Sequence, residues 1–244
     1  MTPAVTLATA RRVLGQLRHD HRTLAMLIVV PCVLLSLLAW LFDGTGTFDD
    51  LGAPLLGIFP FVVMFLVTSV ATLRERTSGT LERLLTLPIG KLDLLAGYAL
   101  AFGLVAVVQA TAAATLSVTL LGLDIAGPFW LLLVVAVLDA LLGMALGLFV
   151  SAFAATEFQA VQFMPAFVLP QFLLCGLLVP RERMDDILRV VSDVLPLSYA
   201  VDAMRELTTT EGVSTSAWGD LSVVALAIVL ALGLGAATLR RRTP

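Results

Sequence analysis

The chain has 244 residues, of which 59% are hydrophobic and only 14% are charged, and its mean hydropathy is +1.00. Soluble domains carry about 25% charged residues, so this composition excludes an ordinary water-soluble protein and predicts one that lies in a lipid bilayer. The net charge of -3 excludes little, because in a membrane protein the position of the charges matters more than their sum.

The first 23 residues predict a helix that lies flat in the membrane interface. Four arginines are interspersed there with apolar residues at helical spacing. Such a helix turns its arginines towards lipid headgroups and its apolar face towards the acyl chains. The alternative is a frayed polar leader. A cleavable signal peptide is not expected, because the apolar run that follows is long enough to anchor the chain.

Six apolar runs follow, each close to the ~20 residues that cross a bilayer. They cover residues 24–42, 51–73, 94–123, 128–153, 158–179 and 221–239. The sequence therefore predicts one all-α membrane domain over residues 1–244, with six transmembrane helices. Cys32 and Cys175 lie within these runs, so we interpret them as small apolar side chains and not as a disulfide or metal site.

The positions of lysine and arginine predict the orientation of the chain. Eleven of the 15 basic residues lie in the N-terminal segment, in the loop after the second run and in the C-terminal tail. Basic residues favour the cytoplasmic side of a membrane. With six spans, both termini of this multi-pass protein are expected on the cytoplasmic side of the plasma (inner) membrane.

The loop after the second run contains Gly90-Lys91, the dipeptide that ends a phosphate-binding loop. The full pattern needs a glycine five positions before Gly90 and a serine or threonine after Lys91. Leu85 and Leu92 occupy those positions. The chain is therefore expected not to hydrolyse ATP by itself.

The same loop predicts a short helix over residues 80–87 that ends at Pro88. Glu82 lies in its first turn, where the helix dipole favours a carboxylate. One apolar face is formed by Leu81, Leu84 and Leu85. Such a helix can lie along the cytoplasmic membrane surface and dock a soluble partner. The alternative, from the residues alone, is an ordinary solvated loop.

Residues 74–89 read "RERTSGTLERLLTLPI", and this stretch resembles the signature that follows the second span in type-2 ABC transporter permeases. The matching residues are Glu75, Arg76, Gly79, Thr80, Glu82, Leu84 and Pro88. Residues 196–205, "PLSYAVDAMR", are similar to the family's sequence before its last span. The predicted helices also match, so the resemblance covers nearly the whole chain.

The resemblance implies a permease subunit of an exporter of drugs, lipids or glycoconjugates. It would pair with a second permease copy, as a homodimer or with a related chain, and would dock two separate ABC ATPase subunits that bind ATP and Mg²⁺. No cofactor bound by this chain and no nucleic-acid partner are expected. The residues implied in coupling to the ATPase are Glu75, Arg76, Gly79, Thr80, Leu81, Glu82, Leu84, Leu85 and Pro88.

Residues 180–219 predict two short amphipathic helices separated at Pro196. They either dip into the outer leaflet or form an external cap on the bundle. The resemblance implies the first arrangement, in which extracellular re-entrant helices guide lipophilic cargo. The residues of this segment that we single out are Pro196, Tyr199, Asp202 and Arg205.

Asp139 is the one carboxylate near the middle of a predicted span, on a face shared with Gly143 and Gly147. Small residues at this spacing allow close approach of a second helix. The carboxylate is either a proton or cation site, or a structural side chain held by polar groups of the third span around Gln109.

Gln162 and Gln171 lie in the fifth run together with Pro165 and Pro170, which predict a kink. The glutamines either line a pathway or satisfy backbone carbonyls that the prolines leave without a donor. These alternatives stay open at the level of sequence.

Two rival classes of function are considered. A membrane hydrolase is disfavoured, because the chain has neither H-E-x-x-H nor G-x-S-x-G, and no catalytic or metal-binding residues are expected. An ion-coupled secondary transporter that uses Asp139 is the alternative to the permease.

Overall fold

The computed structural model describes residues 2–78, 90–212 and 214–238, and all regular structure in these ranges is helical. This confirms the all-α class. The α-helices are α1 Pro3–His19, α2 His21–Leu41, α3 Thr47–Thr77, α4 Lys91–Thr119, α5 Phe129–Ser151, α6 Glu157–Leu174, α7 Asp186–Val194, α8 Pro196–Thr209 and α9 Thr215–Thr238. A 3₁₀ turn covers Arg181–Arg183.

Five helices in the described ranges are long and apolar enough to cross a membrane, namely α2, α3, α4, α5 and α9. The predicted span 158–179 corresponds to α6, which is not among them. Its 18 residues extend about 27 Å, slightly less than the ~30 Å hydrocarbon core. The helix ends at Leu174, and Gly176 then adopts a left-handed conformation with φ of 90°.

Helix ends also differ from the predicted ones at α9, α3 and α4, and α9 begins at Thr215 instead of residue 221. The 31 residues of α3 extend about 46 Å, so this helix is longer than the hydrocarbon core at its charged C-terminal end. In contrast, α4 ends at Thr119 instead of residue 123. Gly122 follows with φ of 72° and turns the chain towards α5.

The centre of the bundle is the packing of α3 against α5. A methyl group added at Gly143 would lie 2.1 Å from the Phe61 carbonyl oxygen, and one at Gly147 would lie 2.1 Å from Thr68 Oγ1. The two glycines therefore let the helix backbones approach more closely than any larger residue would allow. This is the close approach that their spacing predicts.

The other helices surround this pair. Helix α9 packs on α5, α4 packs on α5, and α2 packs on α3 and α4. The amphipathic α1 lies against α4, and α8 lies against α3 and α9. The bundle is thus tied at one end by α1 and at the other by α8.

We expect Gly143→Ala to destabilise the bundle, because the Phe61 backbone that it meets cannot move without shifting α3. Overpacking of this kind costs about 1–3 kcal/mol. The matched control is Gly233→Ala in α9, where an added methyl group meets no atom within 4 Å. Thermal unfolding in mild detergent should show a lower Tm for Gly143→Ala only, and equal Tm values would contradict the packing described.

Candidate functional site

A bidentate ion pair connects the C-terminal end of α3 to α1. Arg12 Nη1 donates to Glu75 Oε1 at 2.9 Å, and Arg12 Nη2 donates to Glu75 Oε2 at 3.0 Å. Arg12 Nη2 also donates to the Tyr98 hydroxyl of α4 at 3.0 Å. The side chains of Arg12 and Glu75 are only 28% and 14% exposed, so solvent screens this pair little.

Helix α1 also lies directly on the N-terminal half of α4. The backbone N–H of Thr2 donates to Asp93 Oδ1 at 2.8 Å. A methyl group at Gly97 would lie 2.5 Å from Thr9 Cβ, so the glycine makes room for α1. The Arg12–Glu75 pair therefore connects α3 to the packed pair of α1 and α4.

The residues on either side of Glu75 reach two further helices. Arg74 Nε and Nη2 donate to the two carboxylate oxygens of Glu157, at 2.7 and 3.0 Å, at the start of α6. Arg76 Nη1 donates to the Ser151 carbonyl oxygen at the end of α5. Three consecutive charged residues thus hold α3 against α1, α5 and α6.

We call Arg74, Glu75 and Arg76 the α3 clamp. It ends two residues before the segment in which the remaining coupling residues are predicted. Those residues lie outside the described part of the chain: Gly79, Thr80, Leu81, Glu82, Leu84, Leu85 and Pro88. The chain is described again from Gly90, which caps α4.

Sequence reasoning selected Glu75 and Arg76 but missed Arg12, which pairs with Glu75, and the Ser151 carbonyl, to which Arg76 donates. It also missed the neighbouring pair of Arg74 with Glu157. Arg12 and Glu75 are separated by 63 positions, and only the packing of α1 on α3 and α4 brings them together. Nothing in the sequence distinguishes Arg12 from the other arginines of α1. In the structure, Arg11 and Arg18 are exposed, and Arg12 faces the bundle.

The segment between α6 and α9 is organised around Arg181. Its guanidinium bonds to the carboxylates of Asp193 and Asp202 and lies 5.2 Å from the centre of the Tyr199 ring. Tyr199 in turn donates its hydroxyl proton to the Asp193 carbonyl oxygen at 2.7 Å. Two of the four residues predicted here, Tyr199 and Asp202, therefore share one partner that the prediction did not include.

The other two predicted residues, Pro196 and Arg205, have structural roles in α8. Pro196 is the first residue of α8, where a missing N–H costs nothing. Arg205 Nη2 donates to the Leu177 carbonyl oxygen at 3.2 Å, which ties α8 to the turn after α6. Burial raises the pKa of Asp202, although its bond to Arg181 acts in the opposite direction.

Asp139 is buried in the bundle, with 1% of its surface exposed. Neither carboxylate oxygen has a hydrogen-bond partner among the described residues. A methyl group at Gly57 of α3 would lie 2.6 Å from Asp139 Oδ2, and the Met204 side chain is close to the same point. The carboxylate therefore faces α3 and α8, and the structure gives it no hydrogen bond to Gln109 of α4.

The three glutamines have three different environments. Gln109 is 1% exposed, and neither atom of its amide has a partner in the described ranges. Gln171 is 4% exposed, and its Nε2 donates to the Phe167 carbonyl oxygen at 3.1 Å within α6. Gln162 is exposed on the surface of α6. Only Gln171 serves the backbone, and the three do not form one polar cluster.

Within the described residues, no three His, Cys, Asp or Glu side chains are grouped closely enough to hold a metal ion. What the structure does bring together is a set of apolar helices of membrane-crossing length and a charged clamp at the end of α3. These features define the class of multi-helix membrane proteins.

A family model described as ABC-2 type transporter matches residues 3–208. The chain belongs to this family, whose members form the membrane part of ABC transporters. It is 27% identical over 167 residues to "Probable multidrug ABC transporter permease YbhR" of Escherichia coli, which covers 68% of this chain and 45% of that protein.

Two further relatives match at a similar level. "ABC transporter G family member 20" of Dictyostelium discoideum is 27% identical over 159 residues, which are 65% of this chain and 22% of that protein. "Inner membrane transport permease YhhJ" of Escherichia coli is 27% identical over 147 residues, or 60% and 39% of the two chains. The chain thus matches less than half of the length of each relative.

We expect Glu75→Gln to loosen α1 from α3, because it leaves the Arg12 guanidinium half-buried without its counter-charge. Loss of a charged hydrogen bond of this kind costs about 1–3 kcal/mol. The control is Arg74→Gln, whose pair with Glu157 is 58% and 51% exposed and should contribute less than about 1 kcal/mol. Thermal unfolding in detergent compares the two.

The double change Arg12→Glu with Glu75→Arg tests whether the pair itself matters, because it restores opposite charges. Its Tm should lie above that of Glu75→Gln. Equal losses in Glu75→Gln and Arg74→Gln, with no recovery in the double variant, would contradict the role of this pair.

We expect Asp139→Asn to preserve assembly and transport, because it keeps the shape of the side chain without a buried charge. In contrast, Asp139→Leu places methyl groups against Gly57 and should destabilise the chain by about 1–3 kcal/mol. Size-exclusion profiles and a transport assay distinguish the variants. A complex of Asp139→Asn that assembles but does not transport would favour a proton site instead.

Proposed function

We propose that this chain forms the substrate pathway of an ATP-binding cassette exporter, as a dimer of permease subunits driven by two separate ATPase subunits. The observation that carries this proposal is the α3 clamp. It forms the first three residues of the stretch 74–89 that resembles the family's signature, so a force applied to residues 79–88 acts close to the end of α3.

The clamp supports a simple mechanism. In the proposed complex, residues 79–88 dock on the ATPase and move with it when ATP closes the ATPase pair. Arg74, Glu75 and Arg76 pass this movement to α6, α1 and α5 through the contacts described. Because α3 is a continuous helix of 31 residues, its displacement at one end also moves its other end.

The proposed topology has six membrane-crossing helices and both termini in the cytoplasm. Helix α6 is the sixth, and its length of about 27 Å is tolerated with a small local thinning of the bilayer. The α3 clamp and the arginines of α1 then face the cytoplasm, as the distribution of basic residues requires.

In this topology α7 and α8 form the re-entrant segment at the outer leaflet. Ile187, Val190 and Val194 of α7 are 75%, 65% and 76% exposed, which is costly in water but favourable among acyl chains. The Arg181 network holds α8 beside them. This amphipathic surface supports a role in releasing lipophilic cargo.

Helix α6 supports the proposed dimer. Phe158 and Leu173, at opposite ends of the helix, are 72% and 51% exposed, and Gln162 is exposed between them. A polar amide is unfavourable towards lipid but favourable in a contact with a second permease. Of the proposed substrates, which are lipophilic drugs, lipids or glycoconjugates, the first is supported by the relative YbhR, which is named a probable multidrug permease.

ATP and Mg²⁺ belong, in this proposal, to the partner subunits. The permease needs no phosphate loop of its own, since its task is to convert movement at residues 79–88 into helix displacement. The alternative of an ion-coupled secondary transporter rests on Asp139, whose carboxylate oxygens have no hydrogen-bond partner among the described residues through which a proton could be relayed.

We expect Glu82→Arg to uncouple ATP hydrolysis from transport or to weaken ATPase binding. The reversed charge opposes the dipole of the predicted helix and any basic contact on the partner, which together contribute roughly 1–3 kcal/mol. Leu84→Asp disrupts the apolar face of the same helix. Two quantities are measured: copurification of the ATPase, and substrate transported per ATP hydrolysed.

The matched control is Asp50→Asn, an exposed position in the first turn of α3, at the opposite end of this helix from the clamp. It should leave both quantities at the wild-type level. Wild-type values in Glu82→Arg and again in Leu84→Asp would mean that residues 79–88 form only a solvated loop, and the proposed coupling would be wrong.

A further inference from the structure

A cavity of about 340 Å³ lies between the junction of α1 and α2 on one side and helices α3 and α4 on the other. Its apolar wall is formed by α3 and α4, and the residues are Leu66, Val67, Val70, Ala71 and Phe102. Small-molecule sites have volumes of roughly 300–1,000 Å³, so this cavity is at the small end of that range. It has room for one hydrocarbon chain and not for a large substrate.

The cavity has a polar end and an apolar end. Its polar side includes Arg74 of the α3 clamp, and its apolar side reaches Leu66, which lies two helical turns closer to the bilayer centre. Eight residues of helix correspond to about 12 Å. The cavity therefore runs from a charged rim at the interface towards the hydrocarbon core, in the same direction as the head and tail of a phospholipid.

The rim combines one carboxylate without an ion-pair partner and one arginine with donors to spare. Asp20 accepts hydrogen bonds from Thr23 N and Thr23 Oγ1, at 3.1 and 2.6 Å, but no described cation pairs with it. These bonds, together with the positive charge of the nearby Arg74, lower the pKa of Asp20, so its carboxylate is ionised at neutral pH. Glu75, in contrast, already pairs with Arg12.

Arg74 contributes the positive charge of the rim. Its Nε and Nη2 donate to Glu157, but a guanidinium has five N–H donors. The rim thus presents a carboxylate and a guanidinium at the mouth of an apolar channel, which is complementary to a headgroup that carries an ammonium and a phosphate.

We propose that this cavity binds one acyl chain of a phospholipid whose headgroup contains a primary amine, with the ammonium on Asp20 and the phosphate on Arg74. This goes beyond the proposed function, because the site needs neither ATP nor the ATPase. The lipid would fill the space between the interfacial α1 and the α3 clamp.

The test is lipid titration of the purified full chain in mild detergent, followed by native mass spectrometry. Phosphatidylethanolamine and phosphatidylcholine with identical acyl chains are compared, since both have zero net charge and only the first has ammonium donors. Wild-type protein should retain phosphatidylethanolamine about three- to fivefold more strongly, as expected for an exposed ion pair.

Two substitutions distinguish recognition of the lipid headgroup from binding of the acyl chain. Asp20→Asn should abolish the preference between the two lipids, and it keeps the fold because asparagine also caps helix α2 well. Ala71→Leu fills the apolar wall with about three carbon atoms, so it should weaken both lipids roughly tenfold or more. Matched controls are Asp43→Asn and Ala25→Leu, which are exposed and outside the cavity.

The proposal is overturned if wild-type protein binds both lipids equally, or if Asp20→Asn keeps the preference. Wild-type binding in Ala71→Leu would place the lipid elsewhere, and displacement by single-chain detergent without any headgroup preference would identify a simple amphiphile as the occupant. Because binding is measured on the chain alone, these results are independent of whether ATP-driven transport is found.

Discussion

The absence of side chains at Gly143 and Gly147 is the constraint on which the bundle depends. It allows the backbone of α5 to lie on that of α3, where Thr68 Oγ1 donates to the Met64 carbonyl oxygen at 2.6 Å and lies 3.3 Å from that of Met144. In a bilayer, helices gain little from burying apolar surface against each other, so close packing and such polar contacts must hold them together. The other helices are arranged around this contact.

The same constraint positions the ends of α3. Because α3 is fixed at its middle, its C-terminal turn is held near the ends of α5 and α6, and the α3 clamp can close on them. Both ion pairs of this clamp are bidentate, but they differ in strength because of their exposure: Glu75 is 14% exposed, whereas the Arg74–Glu157 pair is more than half exposed and well screened. The firm connection is therefore to α1 and α4, and the looser one is to α6.

Sequence alone predicted the helical class, five apolar runs and the close approach at Gly143 and Gly147, because composition and residue spacing are local signals. It placed a sixth span where the structure has the shorter α6, since glutamines, prolines and Glu157 interrupt that run.

Asp139 shares a helical face with Gly143, so its neighbour had to be the same helix that meets that glycine. The sequence shows this face but not which helix covers it. For this reason Gln109 of α4 was expected beside Asp139, whereas the structure places Gly57 of α3 there. The Arg12–Glu75 pair depends on contacts between distant segments and was likewise not predictable.

The α3 clamp and the cavity share Arg74 and Glu75, and this has a thermodynamic consequence. If a phospholipid occupies the cavity and an ATPase docks on residues 79–88, both as proposed, the two ligands act near the same turn of α3. Binding linkage is reciprocal, so any change in the clamp that accompanies ATPase docking alters lipid affinity, and the lipid alters ATPase affinity by the same factor. The pair of Arg74 with Glu157 is the exposed and adaptable contact of the clamp. A shift of the Arg74 guanidinium between Glu157 and a lipid phosphate would therefore connect the lipid site to α6, the helix that the proposed dimer uses.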